Sequence, residues 1–304
     1  MGSKDRSAER AGRLGLNMTE PVVNADAPIG VFDSGVGGLS VLRHIRAQLP
    51  HEHLLYFADS GFAPYGNKPE QVVAERSLAV AQFLVAQGAK ALVVACNTAT
   101  VAAIKLLRSH YPLMPIVGVE PGLKPAAAAT RNGKVGVIAT NVTIAGEKFL
   151  VLRDQITSAS QAHFLLQGCP GLVEQIELGQ LDDPATHAML ERFIVPLLQQ
   201  GADTLVLGCT HYPFVLAAIE RIVAEHAGRD VVLIDTGHAV ARQLARLLTA
   251  AGTLNPSNDV PPRLQAFTTG RQAALAGAFS TLLGLEQPVT EVQIGAILAA
   301  SAAI

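Results

Sequence analysis

One figure occurs twice in this 304-residue chain and limits what it can fold into. Val93-Val94-Ala95-Cys96-Asn97-Thr98 is an apolar run that stops at a cysteine, turns polar at once and continues into helix-forming sequence. Leu205-Val206-Leu207-Gly208-Cys209-Thr210-His211 repeats it. A short, continuously apolar run of this kind reads as a strand buried on both faces of a parallel sheet. The residue ending such a strand lies at the C-terminal edge of the sheet, where open α/β sheets bind their ligands. Two thiols, one from each half of the chain, are thereby candidates to share one ligand.

The rest of the chain alternates in the same way. Residues 29–32, 54–58, 91–95, 116–119, 134–139, 204–207, 231–234 and 265–267 read as strands, the last of these as the final one, with helices between them. This alternation implies an α/β fold with mainly parallel sheets and right-handed crossovers. Ile29-Gly30-Val31-Phe32 before Asp33-Ser34 parallels Val135-Gly136-Val137-Ile138 before Ala139-Thr140. Ser34 then corresponds to Thr140, and Cys96 to Cys209. Two related α/β halves with a site in the cleft between them is the architecture expected.

Composition removes several alternatives. The chain is 49% apolar and 16% charged, enough for buried cores. A net charge of −2 gives no reason to expect nucleic acid. No run approaches the ~20 apolar residues of a membrane span, and the apolar tail 297–304 is expected to pack as core. Three cysteines, Cys96, Cys169 and Cys209, do not resemble a disulfide framework and fit a reducing compartment. Residues 1–27 mix charges without the apolar block of a secretory signal, so they read as an N-terminal extension of a cytoplasmic protein. Residues 255–262 read as a surface loop.

The loop Asp33-Ser34-Gly35-Val36-Gly37-Gly38 allows two readings. It could cradle a dinucleotide, with Asp59 as the later acid, but serine at position 40 replaces the third glycine. It could also be a tight strand–helix turn. The loop 59–69 is long for a βα connection, where about 2–6 residues is usual. The paired cysteines allow four readings. They could be inert buried thiols, or zinc ligands without the usual spacing. Cys209 with His211 could form a hydrolase dyad. Or the thiols could be a proton pair, one removing a proton from one face of a stereocentre and the other returning one to the opposite face. That chemistry needs donors for a carbanion-like state, and Asn97, Thr98 and Thr210 are candidates, with Asp33 and His211 beside the two thiols.

At these residues the sequence resembles glutamate racemase, a cofactor-independent family of bacterial cell-wall synthesis. The matching motifs are Phe32-Asp33-Ser34-Gly35-Val36-Gly37-Gly38-Leu39, Ala63-Pro64-Tyr65-Gly66, Ala95-Cys96-Asn97-Thr98-Ala99, Gly118-Val119-Glu120-Pro121 and Gly208-Cys209-Thr210-His211-Tyr212-Pro213. Thr268-Thr269-Gly270 extends the match. The resemblance implies that Cys96 acts on D-glutamate and Cys209 on L-glutamate. It places Asp33 and Ser34 by the substrate amino group, and Tyr65 and Gly66 at a carboxylate. Asn97, Thr98, Thr210 and His211 complete the pocket, His211 assists Cys209, and Glu177 lies near that second thiol. Cys169, in a helix-opening Cys-Pro, reads as structural. No cofactor, metal, nucleic acid or membrane is implied, and a homodimer is. The implied fold has a discontinuous first domain, 28–120 plus 237–304, and a second domain, 121–236. Gly61-Phe62, Asn141 and Val142 depart from the family pattern around the pocket mouth. A racemase for aspartate and a non-catalytic amino-acid-binding protein with two closing lobes are the alternatives.

Overall fold

The computed structural model describes residues 24–256 and 261–295. The expected tail packing at 297–304 and most of the 1–27 extension fall outside those residues, as do 257–260 of the expected surface loop and the side chain of Val142. In chain order the elements begin with β1 (Ile29–Asp33), α1 (Leu39–Gln48), β2 (Leu54–Ala58), α2 (Glu70–Ala86), β3 (Ala91–Val94), α3 (Asn97–His110) and β4 (Ile116–Gly118). Then come α4 (Leu123–Ala129), β5 (Lys134–Ala139), α5 (Asn141–Ala145), α6 (Glu147–Ser160), β6 (His163–Gly168), α7 (Leu172–Glu177), α8 (Pro184–Gln199), β7 (Thr204–Leu207), α9 (Leu216–His226) and β8 (Val232–Ile234). The last elements among the described residues are α10 (Gly237–Ala250), β9 (Leu264–Thr268), α11 (Gln272–Leu283) and β10 (Val289–Glu291).

The strands form two sheets, one ordered β10-β9-β2-β1-β3-β4 and the other β6-β5-β7-β8. Every strand pair in the two is parallel. The order β2-β1-β3-β4 in the first sheet is repeated by β6-β5-β7-β8 in the second, which makes the relation between the halves topological as well as local. In each, the chain steps to one side of the opening strand and then returns to its other side. The crevice left at such a reversal is where α/β sheets take ligands. Cys96 follows β3 at the first reversal, and Cys209 lies just beyond β7 at the second.

Helices cover both faces of each sheet. In the first, α1, α10 and α11 bury one face with Leu42, Ile45, Leu244 and Phe279, and α2 and α3 bury the other with Val80, Leu84 and Leu107. In the second, α7, α8 and α9 contribute Leu172, Ile194 and Ile219 to one core, and α4 and α6 contribute Leu123 and Phe149 to the other. Burial on both faces explains the unbroken apolar runs of the central strands. The chain passes between the sheets after β4 and again after β8, since α10 returns to pack on α1.

The structure corrects the sequence reading at three places. Among the described residues the final strand is β10, not the one at 264–268. β6 lies where no strand is expected. The second cysteine is followed by a turn of 3-10 helix, Tyr212–Val215, before α9, so the two copies differ beyond their thiols.

Candidate active site between the two sheets

A cavity of about 290 Å³ lies where the C-terminal edges of the two sheets face each other. Cys96 and Cys209 both line it, as do Asp33, Ser34, Tyr65, Gly66, Asn97, Thr98, Thr210 and His211. Glu177 is the one expected site residue outside the lining, and it stands behind His211. Cys169 lines the same cavity, together with Thr140, Asn141, Thr143 and the turn Pro170-Gly171. Thr143 was not singled out by sequence, though the correspondence of Thr140 with Ser34 pointed to its loop, and the turn was noted only as a helix-opening Cys-Pro.

Local folding places each group. Cys96 is the N-cap of α3, and its Sγ accepts a hydrogen bond from the Ala99 amide at 3.5 Å. Its thiol reaches Ser34 Oγ at 3.6 Å. Asp33, the last residue of β1, is buried and accepts amide hydrogen bonds from Ser34 at 2.8 Å and Gly38 at 2.5 Å. Thr140 caps α5 in the corresponding position, accepting from the Thr143 amide at 3.2 Å. Cys209 is less buried than Cys96, and its Sγ is 3.7 Å from His211 Nδ1. His211 Nε2 is 3.2 Å from Glu177 Oε1.

The two thiols have opposite electrostatic surroundings. Burial pushes the Cys96 thiol up to about 12, and the Asp33 charge adds to that. Burial raises Asp33 too, against the lowering effect of His211 and of its amide donors. For His211 burial disfavours the cation, but hydrogen bonds with Cys209 and Glu177 outweigh it and push the imidazole up to about 10. Near neutrality Cys96 is therefore a thiol beside a carboxyl group, and Cys209 stands beside an imidazolium. Burial likewise holds Cys169 at about 12.

The glycine loop is the tight strand–helix turn of the second reading, joining β1 to α1 through residues 34–38, and its glycines do one thing more. A Cβ on Gly37 would lie 2.5 Å from both His211 Nδ1 and Thr210 Oγ1, and one on Gly35 would lie 2.7 Å from Glu177 Oε1. The glycines let the first sheet's loop press against the second sheet's thiol and its partners. Ser40, one turn later, has its hydroxyl 2.7 Å from the Thr210 carbonyl. Asp59 is not free for a ribose. Its carboxylate is fully buried and accepts hydrogen bonds from Tyr65, Arg76 and Thr269.

Two sulfurs on one cavity, one held as a thiol and the other beside a cation, are equipped to give a proton and to take one. The sequence profile described as Asp/Glu/Hydantoin racemase matches residues 29–244. The chain is 54% identical over 237 residues to the glutamate racemase of Pseudomonas aeruginosa, covering 78% of this chain and 87% of that protein. It superposes on the crystal structure of a glutamate racemase isoform from Bacillus anthracis with a TM-score of 0.78 and 32% identity, covering 89% of this chain and 99% of that one. Glutamate racemase from Francisella tularensis, solved in complex with D-glutamate, matches with a TM-score of 0.75 and 27% identity over 89% of this chain and 98% of that one. The chain belongs to the Asp/Glu/Hydantoin racemase family and is an amino-acid racemase, an isomerase.

Proposed function

We propose that this chain interconverts L-glutamate and D-glutamate without a cofactor, with Cys96 and Cys209 as the two acid/base groups. The observation that carries the reading is the placement of both thiols, one from each sheet, on one cavity. The names of the relatives support glutamate, and a homologue holds D-glutamate. In this mechanism the substrate α-carbon lies between the sulfurs. Cys209 as thiolate takes the α-proton of L-glutamate while the Cys96 thiol protonates the opposite face, and D-glutamate reverses the roles. The imidazolium of His211 offsets charge on Cys209, and Glu177 holds that cation. Asp33 receives or returns the Cys96 proton. Ser34 meets the amino group, and Tyr65 and Gly66 hold a carboxylate. Asn97, Thr98 and Thr210 donate to the carboxylate that carries the carbanion charge. Cys169 stays a thiol and takes no part in proton transfer.

The same reading puts the enzyme in the cytoplasm as a homodimer supplying D-glutamate for peptidoglycan. It also assigns 28–120 plus 237–304 to one domain and 121–236 to the other. Among the described residues no helix is long and apolar enough to cross a membrane.

The test is proton exchange. Purified protein is incubated with each enantiomer in heavy water, with the α-proton followed by NMR and handedness by polarimetry. Loss of the α-proton with inversion from both enantiomers is expected. Exchange with aspartate but not glutamate would move the substrate, and no exchange with either would leave a binding protein. Replacing Cys96 or Cys209 by alanine is expected to lower turnover by at least ~10²–10⁴-fold, the usual share of a positioned acid or base. Cys169→Ala is expected to keep most of the activity.

A further inference from the structure

Of the substrate-facing walls, Pro64, Tyr65 and Gly66 have the least regular support. They sit in the loop 59–69, which contains a single turn of 3-10 helix, Tyr65–Asn67. What holds the loop is a buried cluster behind it. Asp59 accepts four hydrogen bonds, two on each oxygen. Oδ2 takes the Tyr65 hydroxyl at 2.6 Å and Arg76 Nε at 2.7 Å, and Oδ1 takes Arg76 Nη2 and Thr269 Oγ1, each at 2.7 Å. The Asp59 side chain is wholly buried and that of Arg76 is 12% exposed. This is a bidentate pair in its strongest geometry.

Arg76 does more than neutralise Asp59. Its guanidinium lies 4.8 Å from the ring centre of Phe62, which meets Tyr65 edge-on at 6.0 Å. Its remaining Nη1 donates to the Ile294 carbonyl at 3.0 Å. Ile294 follows β10, and Val292 N donates to the Thr268 carbonyl at 2.8 Å, so this segment is itself tied to the end of β9. One side chain on α2 thus grips the start of the loop, its aromatic cover and the C-terminal segment. Arg76 does not line the substrate cavity.

We propose that Arg76 is a positioning residue: through the Asp59 carboxylate it fixes Pro64, Tyr65 and Gly66 against the substrate, and it couples that wall to the C-terminal segment at Ile294. Removing the guanidinium leaves a buried carboxylate with two neutral donors. Such a charge draws in water or moves out, and the Tyr65 hydroxyl bonded to it moves too. The loss falls on substrate binding, because both thiols are held by other elements.

The inference rests on the racemase reading, so its test has one readout that needs no activity. Amide hydrogen exchange across 61–68 is compared in the full-length wild type, Arg76→Gln, Arg76→Lys and Thr269→Val. Arg76→Gln is expected to speed exchange there by about tenfold or more while amides of α8, in the other sheet's layer, keep their rates. The glutamate KM is expected to rise by a similar factor with kcat changing by less than about threefold, the signature of lost uniform binding. Arg76→Lys falls between, because an ammonium gives a point charge without the fork. Thr269→Val removes one donor to Asp59 and also the acceptor of the Gly61 amide at 3.0 Å, so it marks the exchange expected when the loop is loosened without touching Arg76, and Arg76→Lys decides the matter if Arg76→Gln does not fold. Unchanged exchange at 61–68, a uniform rise over the whole chain, or a loss confined to kcat would each overturn the proposal. A wild type that does not racemise glutamate overturns the functional reading alone, and the exchange data still decide the role of Arg76.

Discussion

Cys96 and Cys209 are chemically identical and electrostatically unlike. That difference has a strict limit. Enantiomers are equal in free energy, so kcat/KM must be the same in both directions at every pH. The acidic setting of Cys96 and the cationic setting of Cys209 can separate the directions only in kcat and KM taken singly. On the proposed mechanism the group that shapes the shared pH profile is His211, held as a cation up to about pH 10 by Cys209 and Glu177. The alkaline fall of kcat/KM is expected near that pH in both directions. Glu177→Gln weakens one of the bonds holding the proton, so the fall should move to lower pH, again equally in both directions. A limb that stays in place would remove Glu177 from this role. Stability carries the same sign. A histidine raised in the fold stabilises it fully below its ordinary value of 6.5, and that contribution disappears as pH rises through about 10. Thermal melts should show Glu177→Gln lowering the melting temperature most at pH 6 and least above pH 10.

Among elements, those with strong signals in the sequence were legible and weak edges were not. The central strands β1, β3, β5 and β7 announce themselves because they are buried on both faces. β6 and β10 lie at sheet edges, where partial exposure breaks the apolar run; β10 is three residues, of which Thr290 and Glu291 are exposed. α8 shows how a helix start can be read directly: Asp183 precedes Pro184, and its Oδ1 accepts from the Ala185 amide at 2.8 Å. That N-cap is half-buried and does not line the cavity, so Asp183→Ala isolates its contribution. The variant should lose about 1 kcal/mol of stability in denaturant titration and keep its kcat/KM. A loss of activity without a loss of stability would mean that α8 reaches the site in some way the geometry does not show.

At the scale of the molecule, the repeated strand order β2-β1-β3-β4 and β6-β5-β7-β8 is what puts each of two cysteines at a strand end on the cavity. The repeat was visible in sequence as paired strand endings, Asp33-Ser34 with Ala139-Thr140 and Cys96 with Cys209. The closeness of the two halves was not visible, because it depends on contacts such as Ser40 with Thr210, 170 residues apart. Gly37 is the most exacting of these contacts. Its missing side chain leaves room for His211 and Thr210, which a Cβ would meet at 2.5 Å. In Gly37→Ala either His211 turns away from Cys209 or the two sheets part, and both outcomes would harm the proposed two-thiol reaction, which needs its sulfurs at a fixed spacing. Each sheet keeps its own cores, so the fold should survive. The expected result is a fall in kcat/KM of about 10²-fold, the cost of a ~1 Å misplacement, with a far smaller change in melting temperature. Gly277→Ala is the matched control: it lies inside α11, a Cβ there meets nothing within 4 Å, and alanine should stabilise the helix by ~0.5–1 kcal/mol without touching turnover. If Gly37→Ala is as active as Gly277→Ala, the halves do not need this contact to close, and the loop after β1 loses its place in the mechanism.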